Sequence, residues 1–239
     1  MVGPGTRTVV PDVENLFNTR EEASVAAAEF IAAAITRQLD CNLPTSLVVT
    51  GGSSPSTCYA ALSEKELAWD RVNVLLSDER WLPPTDDESN EKMVRSTLLV
   101  SNAAEAVLHP FYDKDSDVVS RCESFADELI ELPNPFASVL LGMGEDGHIA
   151  SLFTDADNFA TGIDADGVQL CIPVRTAASP HMRISLTLAA LLRSDQIVLL
   201  FFGDSKHAVY EKAKASATAY PVSRLLHQDR VPVHVYWAP

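Results

Sequence analysis

The run Gly142-Met143-Gly144-Glu145-Asp146-Gly147-His148 brackets two carboxylates and a histidine with three glycines. That composition suits proton transfer. An imidazole titrating near neutrality is the commonest general base, and an adjacent carboxylate, Glu145 or Asp146, can fix its tautomer and raise its basicity. Glycine at this density indicates a backbone with unusual dihedrals or one that a ligand approaches closely. A lone histidine is more often structural, so His148 gains its weight from position: it follows a short apolar run at 138–141, where a buried strand would end.

Three other segments suit an anion. Gly51-Gly52-Ser53-Ser54 follows the apolar run 46–50 and precedes a helical pattern, so its backbone, its hydroxyls and the free N–H groups of the next helix can receive a phosphate. A tight turn that merely needs glycine fits the same residues. The segment is neither a Walker loop nor a GxGxxG fingerprint, which argues against nucleotide and NAD readings. Asp78-Glu79-Arg80-Trp81 follows the run 72–76, and an arginine fork matches phosphate or carboxylate, although a solvated Asp/Arg pair is the plainer alternative. Arg183 in RISLTL and Lys206 in GDSK supply two more cations. Lys206 falls in the first turn of an expected helix, where the macrodipole disfavours a cation by roughly a few tenths of a kcal/mol. Either Asp204 or a bound phosphate would offset it.

Overall charge sharpens this reading. Eighteen basic residues against 33 acidic ones leave a net charge of −15. Nucleic acid and anionic membranes are disfavoured as partners. An anionic substrate would be opposed by the whole-protein field, so basic residues must be concentrated in one cleft. Arg80, Arg183 and Lys206 are the candidates.

Elements must hold these residues together. Runs at 46–50, 72–76, 138–141, 196–202 and 231–237 are almost continuously apolar, which suits strands buried on both faces. Helical patterns alternate with them at 20–39, 56–67, 90–100, 116–131, 188–193, 205–213 and 222–226. The first carries a Thr19–Glu22 capping box and a stripe of Val25, Ala28, Ile31, Ile35 and Leu39. The alternation predicts one α/β domain over 1–239, a Rossmann-like layer sandwich around a mostly parallel central sheet. Ligands of such sheets bind beyond the carboxyl ends of the strands, where all the segments above lie. Residues 221–239 read as fold closure only. Cys41, Cys58, Cys122 and Cys171 have no metal-ligand or disulfide spacing and read as buried small hydrophobes in a reducing compartment. No apolar run is long enough to span a membrane, and residues 1–8 lack a signal-peptide core, so a cytoplasmic location is expected.

GGSSP, SDERWLPP with a downstream SN, GMGEDGHIASLF, RISLTL and GDSK stand in the order and approximate spacing of the 6-phosphogluconolactonases, which the chain resembles over at least 46–206. The resemblance implies hydrolysis of 6-phospho-D-glucono-1,5-lactone to 6-phosphogluconate in the oxidative pentose phosphate pathway, without metal or organic cofactor. It also implies a fold similar to glucosamine-6-phosphate deaminases and ribose-5-phosphate isomerases. By the same resemblance His148 is the general base and Asp146 or Glu145 orients it. Gly51, Gly52, Ser53, Ser54, Asp78, Arg80, Arg183 and Lys206 bind the phosphorylated lactone or polarise its carbonyl, and the division among the cations stays open. A monomer or weak homodimer is expected. The chain departs from the family pattern after Phe153, where Thr154-Asp155 replace proline and glycine.

A lactone is an activated ester, so a positioned water suffices, and no GxSxG elbow is present. Two rivals remain. A deaminase or isomerase of the same fold would act on glucosamine 6-phosphate, but such relatives usually carry Asp-Glu-Tyr where this chain has Asp78-Glu79-Arg80-Trp81. A non-catalytic sugar-phosphate sensor could dispense with His148.

Overall fold

The apolar runs become the centre of a sheet. In a computed structural model describing residues 13–177 and 179–239, the chain forms β1 (Val13–Leu16), α1 (Arg20–Leu39), β2 (Thr45–Val49), α2 (Ser56–Ser63), β3 (Val72–Leu76), β4 (Asp78–Arg80), α3 (Asn90–Thr97), β5 (Val107–His109) and α4 (Val118–Glu131). It continues with β6 (Ser138–Leu141), α5 (Phe159–Gly162), β7 (Cys171–Val174), β8 (Arg183–Leu186), α6 (Leu188–Leu191), β9 (Ile197–Phe202), α7 (Asp204–Ala215), α8 (Pro221–Leu226) and β10 (Val233–Ala238). The segment 1–8, read for a signal peptide, lies outside the described residues.

Seven strands form one sheet in the order β1-β10-β9-β6-β2-β3-β5, and every pairing in it is parallel. β2 and β6 are buried along their whole length, as strands covered on both faces must be. The Thr19–Glu22 capping box forms, and α1 packs across β2, β6, β9 and β10. Its buried stripe passes through Ala27, Ala28, Ile31 and Ile35 but leaves Val25 exposed, contrary to the sequence reading. Cys41 is likewise exposed, whereas Cys58, Cys122 and Cys171 are buried. Among the described residues no helix is long and apolar enough to cross a membrane.

A second, three-stranded sheet, β4-β8-β7, is antiparallel. It contains Asp78-Glu79-Arg80 and Arg183, which the sequence reading left in or beside loops. Ser77 joins the two sheets: its N–H donates to Val49 O at 2.7 Å and its carbonyl accepts from Leu186 N at 2.8 Å. The small sheet is thereby fixed at the carboxyl ends of β2 and β3, facing the loop that follows β6.

Candidate active site

The histidine loop is a close-packed turn. Gly144 N donates to His148 O at 2.9 Å, and Gly147 N to Gly144 O at 3.1 Å. Gly147 has φ +74°, the left-handed region that favours glycine, and a Cβ there would meet Tyr220 at 2.7 Å. Val222 N, in the first turn of α8, donates to Gly147 O at 2.9 Å. The C-terminal helix therefore clamps the loop and is more than fold closure. Asp146 Oδ1 lies 2.5 Å from His148 Nδ1 and also accepts from the His148 backbone N–H at 3.3 Å. In a neutral imidazole a carboxylate so placed favours the tautomer with its proton on Nδ1, which leaves Nε2 as the acceptor. Glu145, the other carboxylate considered, does not touch the imidazole; its Oε1 accepts from Ser205 Oγ at 3.5 Å.

Gly144 is required for a different reason. A Cβ there would lie 2.3 Å from His148 Nδ1 and 2.5 Å from Asp146 Oδ1. Gly144→Ala is expected to push the imidazole off its carboxylate and to cost on the order of tenfold to a hundredfold in turnover. Turnover measured beside a thermal melt checks this; unchanged turnover in a folded variant would show that the Asp146–His148 contact is dispensable.

The cations occupy the opposing wall. Arg80 and Arg183 are direct partners in the β4–β8 register. Like charges placed opposite each other in a sheet repel, unless an anion sits between them. Arg80 Nη1 donates to Glu88 O at 2.6 Å, and Arg183 Nη1 to Ser151 Oγ at 3.3 Å. Burial lowers the pKa of Arg183, Asp78 counters this, and Arg80 adds to it. Asp78 is itself buried, accepting from Ser77 Oγ at 2.9 Å and Ser151 Oγ at 2.6 Å, with Arg183 Nη1 3.7 Å away. Its carboxylate is the counter-ion of Arg183 and also lines the cavity. Glu79 accepts from Arg80 N, Ser89 Oγ, Asn90 N and Glu91 N, while burial pushes its pKa up to about 7. Those bonds pin the backbone of Arg80 and Asn90 to the start of α3.

Lys206 stands in the first turn of α7, where burial lowers its pKa and the charges of Glu145 and Asp146 oppose that fall. Among the described residues it makes no ion pair, with Asp204 or any other carboxylate. The ammonium therefore stands at the cavity without a directly bonded carboxylate, at a helix end that disfavours a cation.

One cavity of about 380 Å³ gathers these groups: Gly51, Gly52, Ser53, Ser54, Asp78, Arg80, His148, Arg183 and Lys206 all line it. Glu145 and Asp146 are exposed and do not line it. Gly142, Met143 and Gly144 of the histidine run line it too, together with Thr50, Asn90, Ala150 and Phe153, to which the sequence reading assigns no role of their own. Asn90 bridges two walls, since its Nδ2 donates to Asp78 O at 2.9 Å and its Oδ1 lies 1.9 Å from where a Gly51 Cβ would stand. The exit at Thr154-Asp155 is orderly: Asp155 accepts from Thr176 Oγ1 at 2.8 Å and Ala177 N at 2.7 Å. Among the described residues no cluster of three or more His, Cys, Asp or Glu is arranged to hold a metal ion.

A sequence model of the family described as glucosamine-6-phosphate isomerases/6-phosphogluconolactonase matches residues 18–237. The chain belongs to that family. It is 39% identical over 226 residues to a 6-phosphogluconolactonase of Caulobacter vibrioides, covering 93% of this chain and 95% of the relative. To the 6-phosphogluconolactonase of Mesorhizobium japonicum it is 36% identical over 225 residues, 94% of each chain. The crystal structure of a 6-phosphogluconolactonase from Shewanella baltica superposes with a TM-score of 0.91 at 33% identity, covering 97% of this chain and 99% of that one. Both the histidine loop and the small antiparallel sheet lie within the family match.

Proposed function

We propose that this chain hydrolyses 6-phospho-D-glucono-1,5-lactone to 6-phospho-D-gluconate, with His148 as general base. The observation that carries the reading is the meeting, in one cavity, of an imidazole oriented through Nδ1 and three cations drawn from a strongly acidic chain. The relatives named above point to the same chemistry. Water gives a proton to Nε2 as its oxygen attacks C1, and the carbonyl oxygen gathers negative charge within reach of the cations. The tetrahedral intermediate then collapses, the C1–ring oxygen bond breaks, and the imidazolium returns its proton to that oxygen. Asp146 stabilises the transient imidazolium. Arg80 and Arg183, paired across β4 and β8, match the double charge of a phosphate monoester, and the Gly51–Ser54 loop supports it with backbone N–H groups and hydroxyls.

The test is an NMR assay of lactone disappearance against its spontaneous rate. Catalysed loss of the δ-lactone with formation of the open acid is expected. A rate equal to the uncatalysed one at micromolar enzyme overturns the reading, and release of ammonia from glucosamine 6-phosphate would assign the site to the deaminase branch.

A further inference from the structure

Phe153 stands where the two halves of the cavity meet. Its ring centroid is 4.2 Å from that of the His148 imidazole, at an interplanar angle of 35°, and the Arg183 guanidinium carbon lies 5.4 Å from the same centroid. The side chain is 4% exposed yet lines the cavity wall. One aromatic ring therefore touches both the base and one of the three cations.

Neither contact is mere filling. Protein partners for Arg183 are sparse: one hydrogen bond to Ser151 at 3.3 Å, one carboxylate at 3.7 Å, and a buried Nε that finds no partner among the described residues. An aromatic face carries partial negative charge and attracts a guanidinium, more strongly where water is excluded. His148 becomes a second cation the moment it accepts a proton from water. Two cations would then stand against one ring, and repulsion between them would oppose the proton transfer. The ring that both touch is placed to add to what Asp146 and Asp78 offset.

We propose that Phe153 is a positioning residue whose π-system serves His148 and Arg183 together, seating the guanidinium and stabilising the imidazolium that forms beside it. The role deepens the lactonase reading and rests on it for turnover. The anion-binding half does not.

The test replaces Phe153 in the full chain by 4-fluoro-, 3,5-difluoro- and pentafluorophenylalanine. These rings keep the shape of phenylalanine while progressively weakening the negative face. Three quantities are read for each: kcat and KM with the lactone, and the Kd for inorganic phosphate. Expected is a stepwise fall in kcat, reaching about threefold to thirtyfold for the pentafluoro ring, with a parallel rise in KM and in phosphate Kd. In the R183A background the KM series should flatten while the kcat series persists. Phe153→Leu, which retains apolar bulk without a ring, should lower kcat and raise KM together. A flat fluorine series in a folded protein overturns the proposal, because packing alone would explain Phe153. So does a KM series unchanged by R183A. If the wild-type chain turns over no lactone, the functional reading fails separately, and the phosphate Kd series still decides whether the ring supports Arg183.

Discussion

Replacing His148 by alanine is expected to lower kcat for lactone hydrolysis on the order of a hundredfold or more, the range of a general-base contribution. KM should move little, because the imidazole is assigned to the reacting water and the phosphate to the opposite wall. The fold should survive. The His148 side chain is 28% exposed, and its removal costs the contact with Asp146 and the packing on Phe153. The residual rate is informative, since positioning and charge stabilisation by the cations remain when the base is gone. Spontaneous lactone opening must be subtracted at each pH. If near-full kcat persists after that correction, the base lies elsewhere.

The second large effect is expected at Arg183. Removing a charge-assisted contact to phosphate should raise KM about tenfold to a hundredfold with a much smaller change in kcat, the pattern of a contact made equally in ground and transition states. The variant should also melt earlier, because Asp78 stays buried without its cation, held only by the hydroxyls of Ser77 and Ser151. The two consequences separate. Adding Asp78→Asn to Arg183→Ala should restore part of the melting temperature and none of the KM. An unaltered KM in the single variant would move the phosphate away from the β4–β8 pair.

How much of this was legible follows from what each residue buries. β2, β3, β6 and β9 are seen by two covering layers, so their sequences are nearly all apolar and announce themselves. β1 (VENL) and β5 (VLH) are edge strands with exposed positions, and they leave no such trace. β4 and β8 hide for the opposite reason: they are short and carry charged residues, three of which line the cavity, so Asp78-Glu79-Arg80 reads as loop until its antiparallel partner is known. The choice between Glu145 and Asp146 did have a local signal. An aspartate two residues before the histidine can accept from the histidine's own N–H in an Asx turn, a geometry the longer glutamate does not favour. The clamp of Tyr220 and Val222 on Gly147 had none, since it joins segments more than 70 residues apart.

The division of the cavity between two sheets has a mechanical sense. His148 hangs from the end of a parallel strand, β6, while Arg80 and Arg183 ride on an antiparallel ribbon tied to that sheet through Ser77. On the proposed reading the two would act as the fixed jaws of a caliper joined at Ser77, with the ligand gauged by the span from its phosphate to its carbonyl. Such a device selects by length before it selects by the decoration of the sugar ring. A graft that resets the ribbon would change what fits without disturbing the chemistry at the other jaw.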